Sequence, residues 1–228
     1  MSYAEFAPSA ALAPWVECYW TFGPLREPFE RRVLPDGCAD LLFADGSMSA
    51  VGTMTAPLVI RDASSPAYFG VRFRPGRALL GLPLAELTNQ RVTLRGDLGD
   101  RVAEQPTTRG RIALLESHLL ARLPVPDRAV DAAVARIVAG HSSIERIAAD
   151  IGVTRQHLAR KFLQRVGVSP KTFARVARFR RVLADARASR AGEWSAIAAD
   201  YGYADQSHLI AEFREFAGTS PVPFFLSR

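Results

Sequence analysis

Two short polar clusters carry side chains suited to reading base edges. Arg155, Gln156 and Arg160 form the first; Gln206, Ser207 and His208, with Ile210 close behind, form the second. Arginine and glutamine match the hydrogen-bonding patterns of guanine and adenine in a major groove, and isoleucine can touch a thymine methyl. The histidines stay open at this level. His157 and His208 occupy matching places, where packing near a turn accounts for both as well as nucleic-acid contact does.

A repeated element must position these clusters. Residues 147–170 read IAADIGVTRQ-HLARKFLQRVGVSP, and residues 197–221 read IAADYGYADQSHLIAEFREFAGTSP. Ile147 aligns with Ile197, while His157, Gly167 and Pro170 align with His208, Gly218 and Pro221 one residue further on. The extra residue falls just after the turn. Each copy predicts a short helix, a turn at Gly152 or Gly202, and a second helix capped by Thr154 or Asp205. Ser142 or Ser143 opens the leading helix of the first copy, without the acidic partner of a capping box. Leu158, Phe162 and Val166, like Leu209, Phe213 and Phe216, are spaced to face inward. That leaves the polar clusters outside, which is helix-turn-helix geometry.

The segment between the copies is also helical. Pro170 opens a helix from Lys171 to about Ser189, with Phe173, Val176, Phe179, Val182 and Leu183 on one stripe. About nineteen helical residues span roughly 28 Å, enough to hold two reading helices near one duplex turn, roughly 34 Å, apart. Upstream, Asp127 caps a helix whose apolar stripe is Val130, Ala133, Val134 and Ile137. Residues 155–190 carry eleven basic side chains and one acid, Asp185. Such one-sided charge reads as a phosphate-contacting surface.

Domain organisation follows from a break at Leu123-Pro-Val-Pro-Asp-Arg128. Residues 1–122 form an N-terminal unit, 123–128 a linker, and 129–228 an all-helical unit. The helix at 109–123, with Ile112, Leu115, Leu119 and Leu123 in line, packs on the first unit or serves as linker. The first unit reads as α+β. A tight turn at 34–37 feeds an apolar run, 38–43, ending at Asp45-Gly46; 57–61 and 68–74 are further strands, and 77–82 and 84–89 read as short helices. Phe69, Val71 and Phe73 point one way, Tyr68, Arg72 and Arg74 the other. No glycine-rich phosphate loop follows a strand. Arg72 and Arg74 are the candidate contacts for an anionic effector, set against a plain solvent-facing strand. Trp15, Tyr19, Trp20 and Phe22 suit core packing or a dimer contact better than a ligand-stacking box. Asp36, Cys38 and Asp40 lack a nearby histidine, the first being His118, so a turn and buried strand explain them better than a metal or nucleophile.

At the level of whole motifs, 147–170 and 197–221 resemble the DNA-binding domain of the AraC/XylS transcriptional regulators, and 202–221 is close to that family's signature. The resemblance implies base contacts at Gln156, Arg160, Gln206, Ser207 and His208, and phosphate contacts at Thr154, Arg155 and Arg214. Ala159 and Ala211 depart from the longer polar side chains found in many members, which shifts weight toward phosphate and shape readout. The segments 34–43 and 70–76 resemble an uncharacterised domain often fused ahead of such DNA-binding domains. A sensing or association role is implied, with no ligand named.

Composition sets the remaining expectations. Hydrophobic residues make up 48% and mean hydropathy is +0.02, and no apolar run is long enough to span a bilayer or serve as a signal, so a cytoplasmic protein without membrane contact is expected. Two cysteines cannot build a disulfide framework or a cysteine-rich zinc site. Residues 1–126 are balanced, with thirteen basic and thirteen acidic side chains, so the whole net charge of +6 lies downstream. The expected partner is double-stranded DNA. A small-molecule effector, RNA polymerase and a second copy of the chain are further candidates, and no cofactor, metal or catalytic residue is expected. The alternative is an architectural, sequence-indifferent DNA binder. A DNA alkyl-acceptor repair protein would need a zinc-held cysteine set that is absent.

Overall fold

The computed structural model describes residues 3–62, 64–140, 143–186 and 193–226. Its first part is built on a six-stranded antiparallel sheet of strands β1 (Tyr3–Phe6), β2 (Val16–Phe22), β7 (Tyr68–Phe73), β4 (Ala39–Ala44), β5 (Ser47–Val51) and β8 (Arg91–Leu94), in that spatial order. Strands β3 (Phe29–Val33) and β6 (Leu58–Asp62) pair separately as an antiparallel ribbon. Asp45 and Gly46 both take positive φ, so β4 and β5 join through the two-residue turn that matches strand twist.

The central sheet has two unlike faces, as alternation requires. On one, Tyr19, Leu41, Phe43, Met48, Phe69, Val71 and Phe73 are buried against helices α1 (Leu98–Ala103) and α2 (Thr108–Leu120) and a 3-10 turn, Leu84–Leu87. Leu115 and Leu119 belong to this core, so α2 packs on the first part. The other face carries Trp20, Phe22, Asp40, Leu42, Tyr68 and Arg72, and the β3–β6 ribbon lies over it. The helix expected at 77–82 does not form. Gly81 takes φ +70 there, and Arg77 reaches out to stack on Trp15 and pair with Asp131.

The second part is all helical: α3 (Arg128–Val138), α4 (Ile144–Asp150), α5 (Arg155–Val166), α6 (Pro170–Asp185), α7 (Trp194–Asp200), α8 (Gln206–Ala217) and α9 (Pro221–Leu226). The architecture is thus an α+β unit followed by an all-α unit. The apolar stripes read from sequence in α3, α5, α6 and α8 are those buried in the structure, apart from the half-buried Val134. The expected end of the long helix near Ser189 lies outside the described residues, as does Ser142.

Candidate nucleic-acid interface

Each copy of the repeat forms a helix-turn-helix unit on a core of its own. In the first, Ile147, Leu158, Phe162 and Val166 pack with α3 and with Phe173 of α6. Gly152 turns the chain at φ +73, and Gly202 does the same at φ +72 in the second unit; a side chain at either would strain the turn. Thr154 Oγ1 accepts from the His157 amide at 3.1 Å, and the Asp205 carboxylate from the His208 amide at 2.8 Å. Ser143 caps α4 in the same way. The second unit is more aromatic: Phe213 meets Phe179, Phe224 and Trp194 edge-on.

Helix α6 serves both units. Phe173 and Ala177 enter the first core, while Val176, Phe179 and Leu183 enter the second. Its sixteen residues give a strut of roughly 24 Å.

The structure places the sequence-derived candidates as follows. Thr154, Arg155, Gln156 and Arg160 are exposed at and along the start of α5; Gln206, Ser207 and His208 are exposed at the start of α8, with Arg214 two turns on. Several are held in place. The Gln206 side-chain carbonyl accepts from the Ser195 hydroxyl at 2.7 Å. His208 Nδ1 accepts from the Ala204 amide at 3.3 Å, and the ring lies edge-on to Tyr203. That bond puts the ring proton on Nε2, as a donor to any base or phosphate. His157 instead meets Arg160, 3.2 Å from its guanidinium. The two histidines therefore share a position but not their contacts. Arg155 pairs with Glu145 at 3.1 Å across an exposed surface, a contact weak enough to exchange for a phosphate.

Much of the basic run does not face outward. Arg175 and Arg178 turn in to Glu212, which is 2% exposed, and Tyr203 donates to the same carboxylate at 2.8 Å. Lys161 holds Asp127 at 2.6 Å. Among the described residues of the run, the exposed basic side chains are Arg155, Arg160, Arg165, Lys171 and Arg180; Arg214, outside it, is exposed as well. Acids from other segments hold Lys161, Arg175 and Arg178, which local charge counting cannot register.

Sequence reasoning also missed the grip of the first part on the second helix of each unit. At the end of α5, Thr53 Oγ1 donates to the Val166 carbonyl at 2.5 Å and Thr88 Oγ1 to that of Gly167 at 2.6 Å. The Leu84 carbonyl lies where a Gly167 side chain would begin. At the end of α8, Arg32 donates to the Ala217 carbonyl at 3.0 Å, and Pro57 packs beside Gly218. Gly167 and Gly218 are aligned positions of the repeat, so corresponding ends of both helices are held.

Arg72 and Arg74 are engaged internally. Arg72 lies 3.4 Å from both Asp36 and Asp40; burial pulls its pKa down, but the two carboxylates outweigh it and hold it above the ordinary range. Burial in turn pushes Asp40 up to about 6. Arg74 pairs with Glu17 at 2.7 Å and donates to the Ala13 carbonyl. Both cysteines are free thiols. Among the described residues, no cluster of histidine, cysteine and acidic side chains is arranged to hold a metal, and no helix is long and apolar enough to cross a membrane.

Residues 147–225 match the family model described as a helix-turn-helix domain, and residues 4–93 match a domain of unknown function, DUF6597. No curated protein matches the chain. Among solved structures, the chain is similar to ToxT from Vibrio cholerae at 10% identity over 98% of this chain and 95% of that one, with a TM-score of 0.46. A second ToxT structure, at 1.65 Å, gives 12% identity over 99% and 97% with a TM-score of 0.45. The AraC-like transcriptional activator CuxR gives 18% over 78% and 76%, with a TM-score of 0.23.

Proposed function

We propose that the chain, whose residues 147–225 match a helix-turn-helix domain model and whose residues 4–93 match DUF6597, is an AraC-type transcriptional regulator that binds specific DNA sequences. It reads two adjacent major-groove segments, one with α5 and one with α8. The observation that carries this reading is the pair of equivalent capped helices on a common strut, each with an exposed polar start. Residues 1–122 act as the modulating unit, 123–128 as linker and 129–228 as reader. The threonines and arginine at the helix ends support that division of labour, since moving the first unit would shift both readers.

The deciding experiment selects bound sites from a random DNA pool with the full chain, then footprints the winners. Two protected segments about one turn apart are expected, surviving random competitor by a factor of about a thousand. Equal binding to all sequences would favour an architectural role. Within the selected site, Arg160→Ala should weaken binding by about 1–3 kcal/mol and relax preference at one position. Unchanged preference would remove Arg160 from base reading. Arg214→Glu should weaken binding to every sequence and flatten the salt dependence by about one phosphate or more. A loss confined to one sequence would contradict its phosphate role.

A further inference from the structure

The β3–β6 ribbon and the sheet beneath it enclose a cavity of about 180 Å³. Its walls are largely apolar, formed by Trp20, Phe22, Phe29, Leu42, Ile60 and Tyr68. Gly70 stands opposite Trp20 in the ladder, and the indole lies so close over it that any side chain there would collide. One wall is therefore a flat ring surface. A space of this size takes a single-ring molecule; an apolar protein cavity of about 150 Å³ accommodates benzene. Tyr3, Leu58 and Arg91 line the cavity and are also solvent-exposed, which marks its mouth.

Arg31 interrupts this apolar lining. Strand β3 alternates, sending Phe29, Arg31 and Val33 to the cavity while Glu30 and Arg32 make their contacts elsewhere. The Arg31 guanidinium carbon lies 4.2 Å from the Phe22 ring centroid and 5.0 Å from that of Tyr3. Among the described residues no carboxylate lies within ion-pair distance of it, whereas Arg32 and Arg61 share Glu30 and Arg72 lies between Asp36 and Asp40. Ring contacts return only part of the hydration such a charge gives up. Burial depresses the Arg31 pKa, and Arg72 adds to that. Of the three arginines that line the space, Arg72 is matched by Asp36 and Asp40, which leaves Arg31 and the exposed Arg91 as the cations facing it. The excess is cationic.

We infer that this cavity binds a small monocarboxylate with a flat apolar body, its carboxylate on Arg31 and its body against the Trp20 and Phe29 rings. An inorganic anion would leave the apolar walls unfilled, and an ammonium compound would meet repulsion. The regulatory consequence rests on the DNA-reading proposal: the same ribbon reaches the end of α8 through Arg32, with Pro57 just ahead of β6 packed beside Gly218, so occupancy beneath it bears on the second reader.

Calorimetric titration of the full chain without DNA tests the site, so its failure is separable from failure of DNA reading. The probes are phenylacetate, its neutral amide phenylacetamide, and acetate. Phenylacetate should bind at least about tenfold tighter than the amide, because one partner of a charge-assisted hydrogen bond is lost, and acetate should not bind measurably. Arg31→Met should abolish the preference for phenylacetate over its amide while keeping or raising the melting temperature, since an unpaired charge leaves the interior. Arg31→Lys, which retains the charge, should keep part of the affinity, and Arg74→Ala, outside the cavity, all of it. Equal binding of phenylacetate and its amide, or phenylacetate affinity unchanged in Arg31→Met, would overturn the assignment.

Discussion

Glu212→Gln is expected to destabilise the helical unit by about 3 kcal/mol, a fall of about 12 °C or more in melting temperature, read by denaturant or thermal unfolding. The carboxylate is 2% exposed and takes hydrogen bonds from Arg175, Arg178 and Tyr203. Removing its charge leaves two guanidinium groups facing each other behind α8, which is the costly way to break a buried ion pair. The figure sits at the low end for such pairs because the arginines are partly solvated, at 32% and 20% exposure. Glu215→Gln is the control. Among the described residues Glu215 meets only Arg175, and it is half exposed, so its loss should cost less than about 1 kcal/mol. The pH dependence has a definite sign. Burial alone would push the Glu212 carboxyl up, but the three donors outweigh it and hold it below the ordinary glutamate range. Its contribution is therefore complete above the unfolded value of about 4.3 and is lost as pH falls through the lower folded value. An E212Q protein that melts within about 1 kcal/mol of the parent at neutral pH, where a break of this kind should cost about 3, would show the network to be ornamental.

Glu212 also shows where sequence reading stops. It lies on the same side of α8 as Leu209, Phe213 and Phe216, and a charge on an apolar stripe was the available signal that it is buried and paired. The helical unit was otherwise legible, because its information is local. Caps at Thr154 and Asp205, turns at Gly152 and Gly202, and stripes of period 3.6 each specify a helix from a dozen neighbouring residues. The first unit was legible only in pieces. Strands at 58–62 and 68–73 announce themselves by composition and alternation, yet their pairing is long-range: β2 and β4 both pair with β7, some fifty and thirty residues away. Nothing local says that Arg31 and Trp20 line one space, or that Thr53 and Thr88 reach the end of α5. The misread helix at 77–82 has the same origin, since Leu80 is drawn into the sheet's core and Arg77 to α3. The outward placement of the candidate contacts was legible because outward polar positions follow directly from the stripe they oppose. Which of them are already engaged, as Arg155 is by Glu145 and Gln206 by Ser195, depends on neighbouring helices and was not.

Phe213→Ala should remove the second reader while leaving the first. The ring is 1% exposed and sits among Phe179, Phe224 and Trp194, at centroid distances of 5.3, 5.4 and 6.4 Å. Truncating a fully buried phenylalanine costs about 3–5 kcal/mol, in this case levied on the packing that seats α8 against α6. The first unit rests on different contacts, with Phe162 against Phe173 at 5.8 Å and a cluster that does not include Phe213. Protection of the α8 segment should therefore disappear from the footprint while the α5 segment persists at higher protein concentration. The salt dependence should flatten by the phosphates the second unit neutralises. Phe162→Ala is the mirror experiment and should erase the other half. Loss of both segments in either variant would mean that the units fold and bind only as one body. Retention of both in Phe213→Ala, with α8 demonstrably loosened by hydrogen exchange, would mean that the second helix-turn-helix does not read DNA at all.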